Sequence, residues 1–366
     1  MARNTKYLFI ILGALFIMTI LWYFQNIVAY IIIAGVISLI GRPLVDFLRT
    51  IKYKNIQLPK GVCALLTLFL LWGLLFLFLR IFIPLIATEA NQLAEVNFTP
   101  LLKELENPTR KIEKFFHQVR PGLREVSFQE YLTEKLASFI NPTLITSIFG
   151  SLAGILGNIF IAVFSISFIA FFFLKDEQML GNGIILLVPP KVENEARHGL
   201  RVIKRLLTRY FIGIMIQVTG IIILVTIGLK IVGISFQHSL TIALFVGIMN
   251  VIPYLGPLIG GLAGLLIGLA IHIELPLYNE LLPLMGYMTL VFISVQLIDN
   301  FIFQPLIYSN SVNAHPLEIF LVILIAGSLA GIPGMVLAIP AYTVLRVFLK
   351  EFLYNSKIVK KLTEKI

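Results

Sequence analysis

Apolar stretches at 7–24, 27–41, 61–80, 145–174, 211–229, 240–271, 281–308 and 316–345 alternate with polar connections along the chain. A helix rises 1.5 Å per residue and needs about 20 apolar residues to cross a bilayer core, so the pattern predicts about eight membrane segments. The second stretch is short enough to lie tilted or to stop within the bilayer. The stretches 240–271 and 316–345 are interrupted by glycine and proline and exceed one crossing. Each reads either as one bent span or as a re-entrant hairpin. The connection "HIELPLYNELLP" carries Glu274 and Glu280 but no lysine or arginine, which fits the outer face that hairpins would give it.

The polar positions divide the rest of the chain. Residues 88–143 balance seven lysines and arginines against eight glutamates. There, "TPLLKELENPTRKIEKFFHQV" spaces Leu101, Leu102, Leu105, Ile112, Phe115, Phe116 and Val119 as a helix would, with a break at Pro108. Amphipathic helices lying on the bilayer or on other spans fit this pattern, as does a solvated helical loop. Residues 175–210 end in a helix with Arg197, Arg201, Lys204, Arg205 and Arg209 on or near one face, suited to anionic headgroups. The expected organisation is N-terminal spans at 1–87, an extracytoplasmic amphipathic segment at 88–143, a span at 144–174 and a cytoplasmic amphipathic segment at 175–210. A transport core with broken helices at 211–345 and a basic tail at 346–366 complete it.

Composition fixes the class. Of 366 residues, 58% are apolar and only 13% charged, and the mean hydropathy is +0.94. No water-soluble domain of this size buries so much apolar surface, so the expected fold is an all-α integral membrane protein. The net charge of +10 does not indicate nucleic acid. The basic residues sit beside the apolar stretches, at Arg3 and Lys6, Arg42 to Lys60, Lys175 to Arg209 and Arg346 to Lys365. That placement puts both termini on the cytoplasmic side of the membrane, with lipid as a partner. The amino end "MARNTKYLFIILGALFIMTILWYF" starts like a signal peptide, but its apolar run is too long and it reads as a retained first span. The single cysteine, Cys63, leaves no internal disulfide and no cysteine-rich metal site. No phosphate-binding Walker loop, GxSxG or HExxH occurs, so neither an enzyme nor a cofactor is expected.

Two features carry candidate chemistry. In "MNVIPYLGPLIGG", Pro253 and Pro257 each remove a backbone donor within hydrocarbon depth, and the carbonyls they free need other partners. Asn250, Tyr254 and the backbone at Gly256 would line such a break, where transporters place substrate and ion sites; a kink patched by neighbouring helices is the plainer alternative. Gly331, Pro333 and Gly334 make a second break. Between the two, Gln296, Asp299, Asn300 and Gln304 share one helical stripe in "TLVFISVQLIDNFIFQPLIYSN". An ionisable side chain at this depth costs at least about 2.5 kcal/mol to insert, so Asp299 should face a cavity or a partner. It is the candidate cation or proton site, with interhelical hydrogen bonding as the structural alternative. His315 and Glu318 begin a helix and are a candidate part of a proton path. The glycine-rich faces allow self-association into a homo-oligomer.

The strings "NVIPYLGPLIGG", "QLIDNFIFQPLI", "HPLEIFLVILIAGSLAGIPGMVLAIP" and "FFFLKDE" resemble the hallmarks of the autoinducer-2 exporter family of PerM-like permeases. The matching positions are Asp176, Asn250, Pro253, Tyr254, Gly256, Pro257, Gln296, Asp299, Asn300, Pro305, His315, Pro316, Gly331 and Gly334; the amino third matches only in hydrophobic pattern. The resemblance implies a bacterial inner-membrane transporter. Some members are associated with export of autoinducer-2 and others with sodium or lithium exchange for protons, so it implies a small polar solute, or a monovalent cation with a proton, as the cargo.

Overall fold

The computed structural model describes residues 19–20, 22–50, 52–53, 56–95, 160–186, 188–308 and 315–353. Most of the first apolar stretch, of the 88–143 segment and of the basic tail lies outside them. Among the described residues the fold is all-α apart from a two-residue antiparallel ladder, β1 (Lys52–Tyr53) with β2 (Ile56–Gln57). The helices are α1 (Gln25–Thr50), α2 (Lys60–Glu95), α3 (Phe160–Lys175), α4 (Met179–Ile185), α5 (Glu193–Val232), α6 (Phe236–Met249), α7 (Leu255–Ile271), α8 (Leu282–Ile298), α9 (Gln304–Tyr308) and α10 (Pro316–Leu353). Short π-helical turns at Leu277–Leu281 and Asp299–Phe303 flank α8. Among the described residues, five helical segments are long and apolar enough to cross a membrane, and α3, α6 and α7 are shorter apolar helices.

The chain divides into two compact units. In the unit formed by Met1–Leu75 and Gly154–Phe211, Ala34, Val45, Cys63, Ala64, Leu68, Ile166, Ala170 and Leu174 make the core. Hydrocarbon tails are as apolar as these side chains, so close packing rather than escape from water holds such helices together. Gly41 shows how close: a Cβ there would lie 2.9 Å from Thr67 Cγ2 and 3.1 Å from Leu174 Cδ2.

At the end of α3, Arg42 donates to the Leu174 carbonyl (3.2 Å), and its guanidinium pairs with Glu177 and lies 3.4 Å from Asp46. Glu177 also accepts from Lys204 of α5. The Lys204 hydrogen bond holds the Glu177 carboxyl below its usual range against the opposing effect of partial burial, with help from the charges of Arg42, Lys204 and Lys60. Along α5, Arg197, Arg201, Arg205 and Arg209 recur every four residues and are exposed. The helix has 40 residues, about 60 Å at helical rise.

The second unit, Phe76–Ala153 with Ile212–Ile366, contains the two glycine- and proline-interrupted stretches in a form other than bent spans. Its core gathers Ile221, Val225 and Leu229 of α5, Ile242, Ala243 and Val246 of α6, Ile267 of α7, and Met288 and Val295 of α8. The helices α6 and α7 fold back on each other. Sites for a Cβ at Gly256, Gly260 and Gly264 fall against Met249, Val246 and Ile242 respectively, an antiparallel register centred near residue 253. The 240–271 stretch is therefore a helical hairpin.

The long helix α10 is a hairpin as well. Ala330 (φ −138°, ψ 17°) and Gly331 (φ 61°, ψ −146°) leave helical geometry. Gly327 meets Met335, Gly334 meets Ala326, and the Glu318 carboxylate faces the Tyr342 hydroxyl. In a straight helix, residues 318 and 342 would stand about 36 Å apart. Arms 316–329 and 332–353 therefore run antiparallel, and α8 between the two hairpins is continuous.

Candidate functional site

The first hairpin turns at a strained tip. Ser235 caps α6, its hydroxyl accepting the His238 N–H at 3.3 Å. At the other end Pro253 cannot supply a backbone N–H, and the chain leaves α6 through narrow turns, Val251 N–H to Ile248 O and Ile252 N–H to Met249 O. Leu255 N–H then bonds the Pro253 carbonyl at 2.8 Å, two residues back, with Tyr254 between them at φ 66°, ψ −50°. This is a γ-turn of the rarer, positive-φ kind, and such a backbone costs on the order of 1–3 kcal/mol for a residue with a side chain. Among the described residues Tyr254 alone of the non-glycines has a positive φ. Pro257 does not break the helix; it is the third residue of α7, where a missing N–H leaves no helical hydrogen bond unmade.

Gly256 is required by the turn. A Cβ there would collide with the Met249 carbonyl and lie 2.8 Å from Asn250 Cα. The Tyr254 ring packs edge-on against Phe320, 6.3 Å between centroids. Phe320 belongs to the first turns of α10, so the tip of the first hairpin lies beside the open end of the second. The two hairpins point in opposite directions.

Beside the first tip is a cleft of about 180 Å³, lined by Ile221 and Val225 of α5, Val246, Asn250, Pro257, Leu258 and Gly261 of the hairpin, and Phe292, Ile293, Val295 and Gln296 of α8. Its walls are apolar, and its side-chain polar groups are two carboxamides, Asn250 (5% exposed) and Gln296. No ionisable residue lines it.

Asp299 does not reach this cleft. It is fully buried, and both carboxylate oxygens accept amide hydrogens: Gln217 Nε2 to Oδ1 at 2.7 Å and Gln304 Nε2 to Oδ2 at 2.9 Å. Gln304 Nε2 also donates to Asn300 Oδ1 (2.9 Å), which accepts from Gln296 Nε2 (2.9 Å). The π-turn at Asp299–Phe303 explains this double reach. In an α-helix residues i−3 and i−4 lie beneath a side chain, whereas the wider π-turn brings i−5 alongside it as well, so Gln304 touches both Asn300 and Asp299. Among the described residues no cation pairs with Asp299.

Of the residues singled out in the sequence, the structure brings Asn250, Pro257 and Gln296 to one cleft and links Gln296, Asn300 and Asp299 by amides. Pro253, Tyr254 and Gly256 build the tip. Gly331, Pro333 and Gly334 form the second tip, with Pro333 in the first turn of the returning arm. His315 and Glu318 stand apart from Asp299: the Glu318 carboxylate accepts the His315 N–H (3.2 Å) and His315 Nδ1 accepts the Leu317 N–H (3.3 Å), an arrangement that starts a helix. Sequence reasoning missed Gln217. Its one signal was a lone carboxamide within the apolar run "FIGIMIQVTGIII".

Two oppositely directed helical hairpins, a continuous helix between them in the chain, an apolar cleft with two carboxamides at the first tip and a buried carboxylate linked to it by amides make up the candidate site of a helical membrane protein. A family model described as "AI-2E family transporter" matches residues 9–354, and the chain belongs to that family. YueF of Bacillus subtilis (strain 168), named as a transport protein, is 27% identical over 325 residues, 87% of this chain and 82% of that one. YrrI of the same organism, also named for transport, is 29% identical over 211 residues, 56% of this chain and 55% of its own. PerM of Escherichia coli (strain K12), named as a permease, is 24% identical over 330 residues, 89% of this chain and 88% of that one.

Proposed function

We propose that this protein is a gradient-driven secondary transporter of a bacterial cytoplasmic membrane, exporting a small polar solute such as an autoinducer-2-like signal or a related metabolite. The cleft at Asn250, Pro257 and Gln296 holds the solute, and Asp299 takes and releases the coupling proton. One observation carries this reading: a fully buried carboxylate, without a paired cation, joined by side-chain amides to a residue that lines the cleft. Burying such a group for structure alone is costly, and within membranes ionisable residues mark ion and proton paths.

The energy suffices. One proton crossing about 100 mV releases about 2.3 kcal/mol, equivalent to roughly a fifty-fold gradient of a neutral solute. The chemistry of the cleft favours such a solute over sodium. A monovalent cation requires several oxygen ligands, whereas the cleft walls are apolar and both Asp299 oxygens are occupied by N–H donors. The basic residues beside the apolar stretches support a topology with both termini on the cytoplasmic side.

The test is proton movement in proteoliposomes of wild type and Asp299→Asn, with sodium and a small-metabolite pool added in turn. A metabolite-dependent proton signal that is lost in the variant is the expected result. A sodium-triggered signal would replace this reading with a sodium/proton antiporter, and flux indifferent to pH would replace it with a passive channel.

A further inference from the structure

The amide network has a property beyond linking Asp299 to the cleft: every group in it can reverse its polarity. A carboxamide offers an acceptor at its oxygen and two donors at its nitrogen, so turning it over exchanges donor for acceptor at a fixed position. In the observed state Gln304 gives one N–H to Asp299 Oδ2 and the other to Asn300 Oδ1, and Gln296 gives an N–H to the same Asn300 oxygen. Gln296 lines the cleft, and with one N–H given to Asn300 its carbonyl oxygen takes no hydrogen bond within the network. One of these three hydrogen bonds reaches the carboxyl group and the other two converge on Asn300 Oδ1.

Resting on the reading that Asp299 gains and loses a proton during transport, we propose that Gln304, Asn300 and Gln296 are a carboxamide relay that converts the protonation of Asp299 into a change of hydrogen-bonding character in the cleft. In this relay the added proton is carried on Oδ2, the oxygen that faces Gln304, while Oδ1 goes on accepting from Gln217 on the α5 side. Oδ2 then carries an O–H and meets the Gln304 N–H donor to donor. Gln304 turns its carboxamide, and its oxygen accepts the new O–H. That oxygen also faces Asn300 Oδ1, so Asn300 turns to donate, and Gln296 turns to accept from it. The last turn brings the Gln296 nitrogen to the cleft. The carboxylate state therefore presents an acceptor to the solute and the protonated state a donor, with one proton added, three hydrogen bonds remade in the opposite sense and no covalent bond broken.

The groups that could compete with this account are few. From α5 the partner of Asp299 is the neutral Gln217, and from its own helix the neutral Gln304. No histidine, lysine, arginine or second carboxylate is hydrogen-bonded or paired to it among the described residues. Gln304 is thus a positioning residue, acting on the cleft through Asn300 and Gln296, and the π-turn is what lets it serve both neighbours.

The experiment uses the full chain in lipid nanodiscs with Phe292→Trp as a reporter, since Phe292 lines the cleft one helical turn before Gln296. Reporter fluorescence is titrated with pH alone, and the infrared band of the protonated Asp299 carboxyl is followed in parallel, identified by its loss in Asp299→Asn. The relay predicts a sigmoidal fluorescence change in the reporter protein that vanishes in Gln304→Met while the carboxyl band still titrates. Gln296→Met cuts the relay at the cleft end without touching either donor to Asp299, and decides the matter if Gln304→Met does not fold. A fluorescence titration of unchanged amplitude in a folded Gln304→Met or Gln296→Met protein overturns the relay alone. A titration that survives Asp299→Asn, or the absence of any carboxyl band, overturns the proton role of Asp299 on which the relay rests.

Discussion

Replacing Gly256 by alanine tests whether the first hairpin is as tightly closed as its geometry requires. The new Cβ would lie 2.6 Å from the Met249 carbonyl carbon and 2.8 Å from Asn250 Cα. Carbon atoms in ordinary contact stand about 3.5–4.0 Å apart, and no rotamer change relieves a clash with backbone, so the arms must part by about 1 Å at the tip. A gap of that size forfeits about a quarter to a half of each contact along the seam, where about 40 atom pairs worth about 0.1–0.2 kcal/mol each are at stake. The loss is about 2 kcal/mol, within the range of about 1–3 kcal/mol typical of overpacked cores. Gly286→Ala in α8 is the matched control, because a Cβ there meets nothing within 4 Å and helix propensity favours alanine by up to about 1 kcal/mol. Helical circular dichroism during SDS titration of the purified chain reads both. Stabilities of the two variants within about 0.5 kcal/mol of each other would refute the closed-hairpin geometry.

Three further substitutions separate the physical effects. Tyr254→Gly should be more stable than Tyr254→Ala by about 1–2 kcal/mol in the same assay, since both lose the ring but only glycine relieves the positive φ; equal stabilities would remove the strain. Gln217→Leu should cost about 1.5–3 kcal/mol by leaving Asp299 Oδ1 without a donor, and less when Asp299→Asn is also present, which a double-mutant cycle measures. Glu177 has a folded-state pKa below its ordinary value of 4.5, so its stabilisation is present above the unfolded value and is lost as pH falls through the folded one. Glu177→Gln should flatten the acid side of the stability profile by under about 1 kcal/mol, because the pairs are partly exposed; an unchanged profile would show that Lys204 and Arg42 do not act through it.

The helical membrane class and the places where helices break were legible in residue pattern alone. Pro253 and Gly331 lie at interruptions because a missing donor and a conformation without a Cβ penalty are local properties. Whether those interruptions reverse the chain was not local: it depends on Gly256, Gly260 and Gly264 meeting α6, and on Gly327 and Gly334 meeting the opposite arm. The stripe from Gln296 to Gln304 was visible at helical spacing, but the π-turn that couples Asp299 to Gln304 changes that spacing without a residue type that announces it. Gln217 lies 82 positions from Asp299, and no periodicity relates residues so far apart. His315 and Glu318 drew notice as titratable neighbours, yet a histidine and a glutamate three apart are equally what a helix start requires.

The arms of the first hairpin, 14 and 17 residues long, rise only about 21 and 26 Å, short of a hydrocarbon core of about 30 Å. At that depth each backbone group released by the turn at Pro253 must be answered by the protein or by water reaching it from the opposite face. Such a hairpin cannot stand alone in lipid, and its stability is held in common with α5 and α8, which share its core.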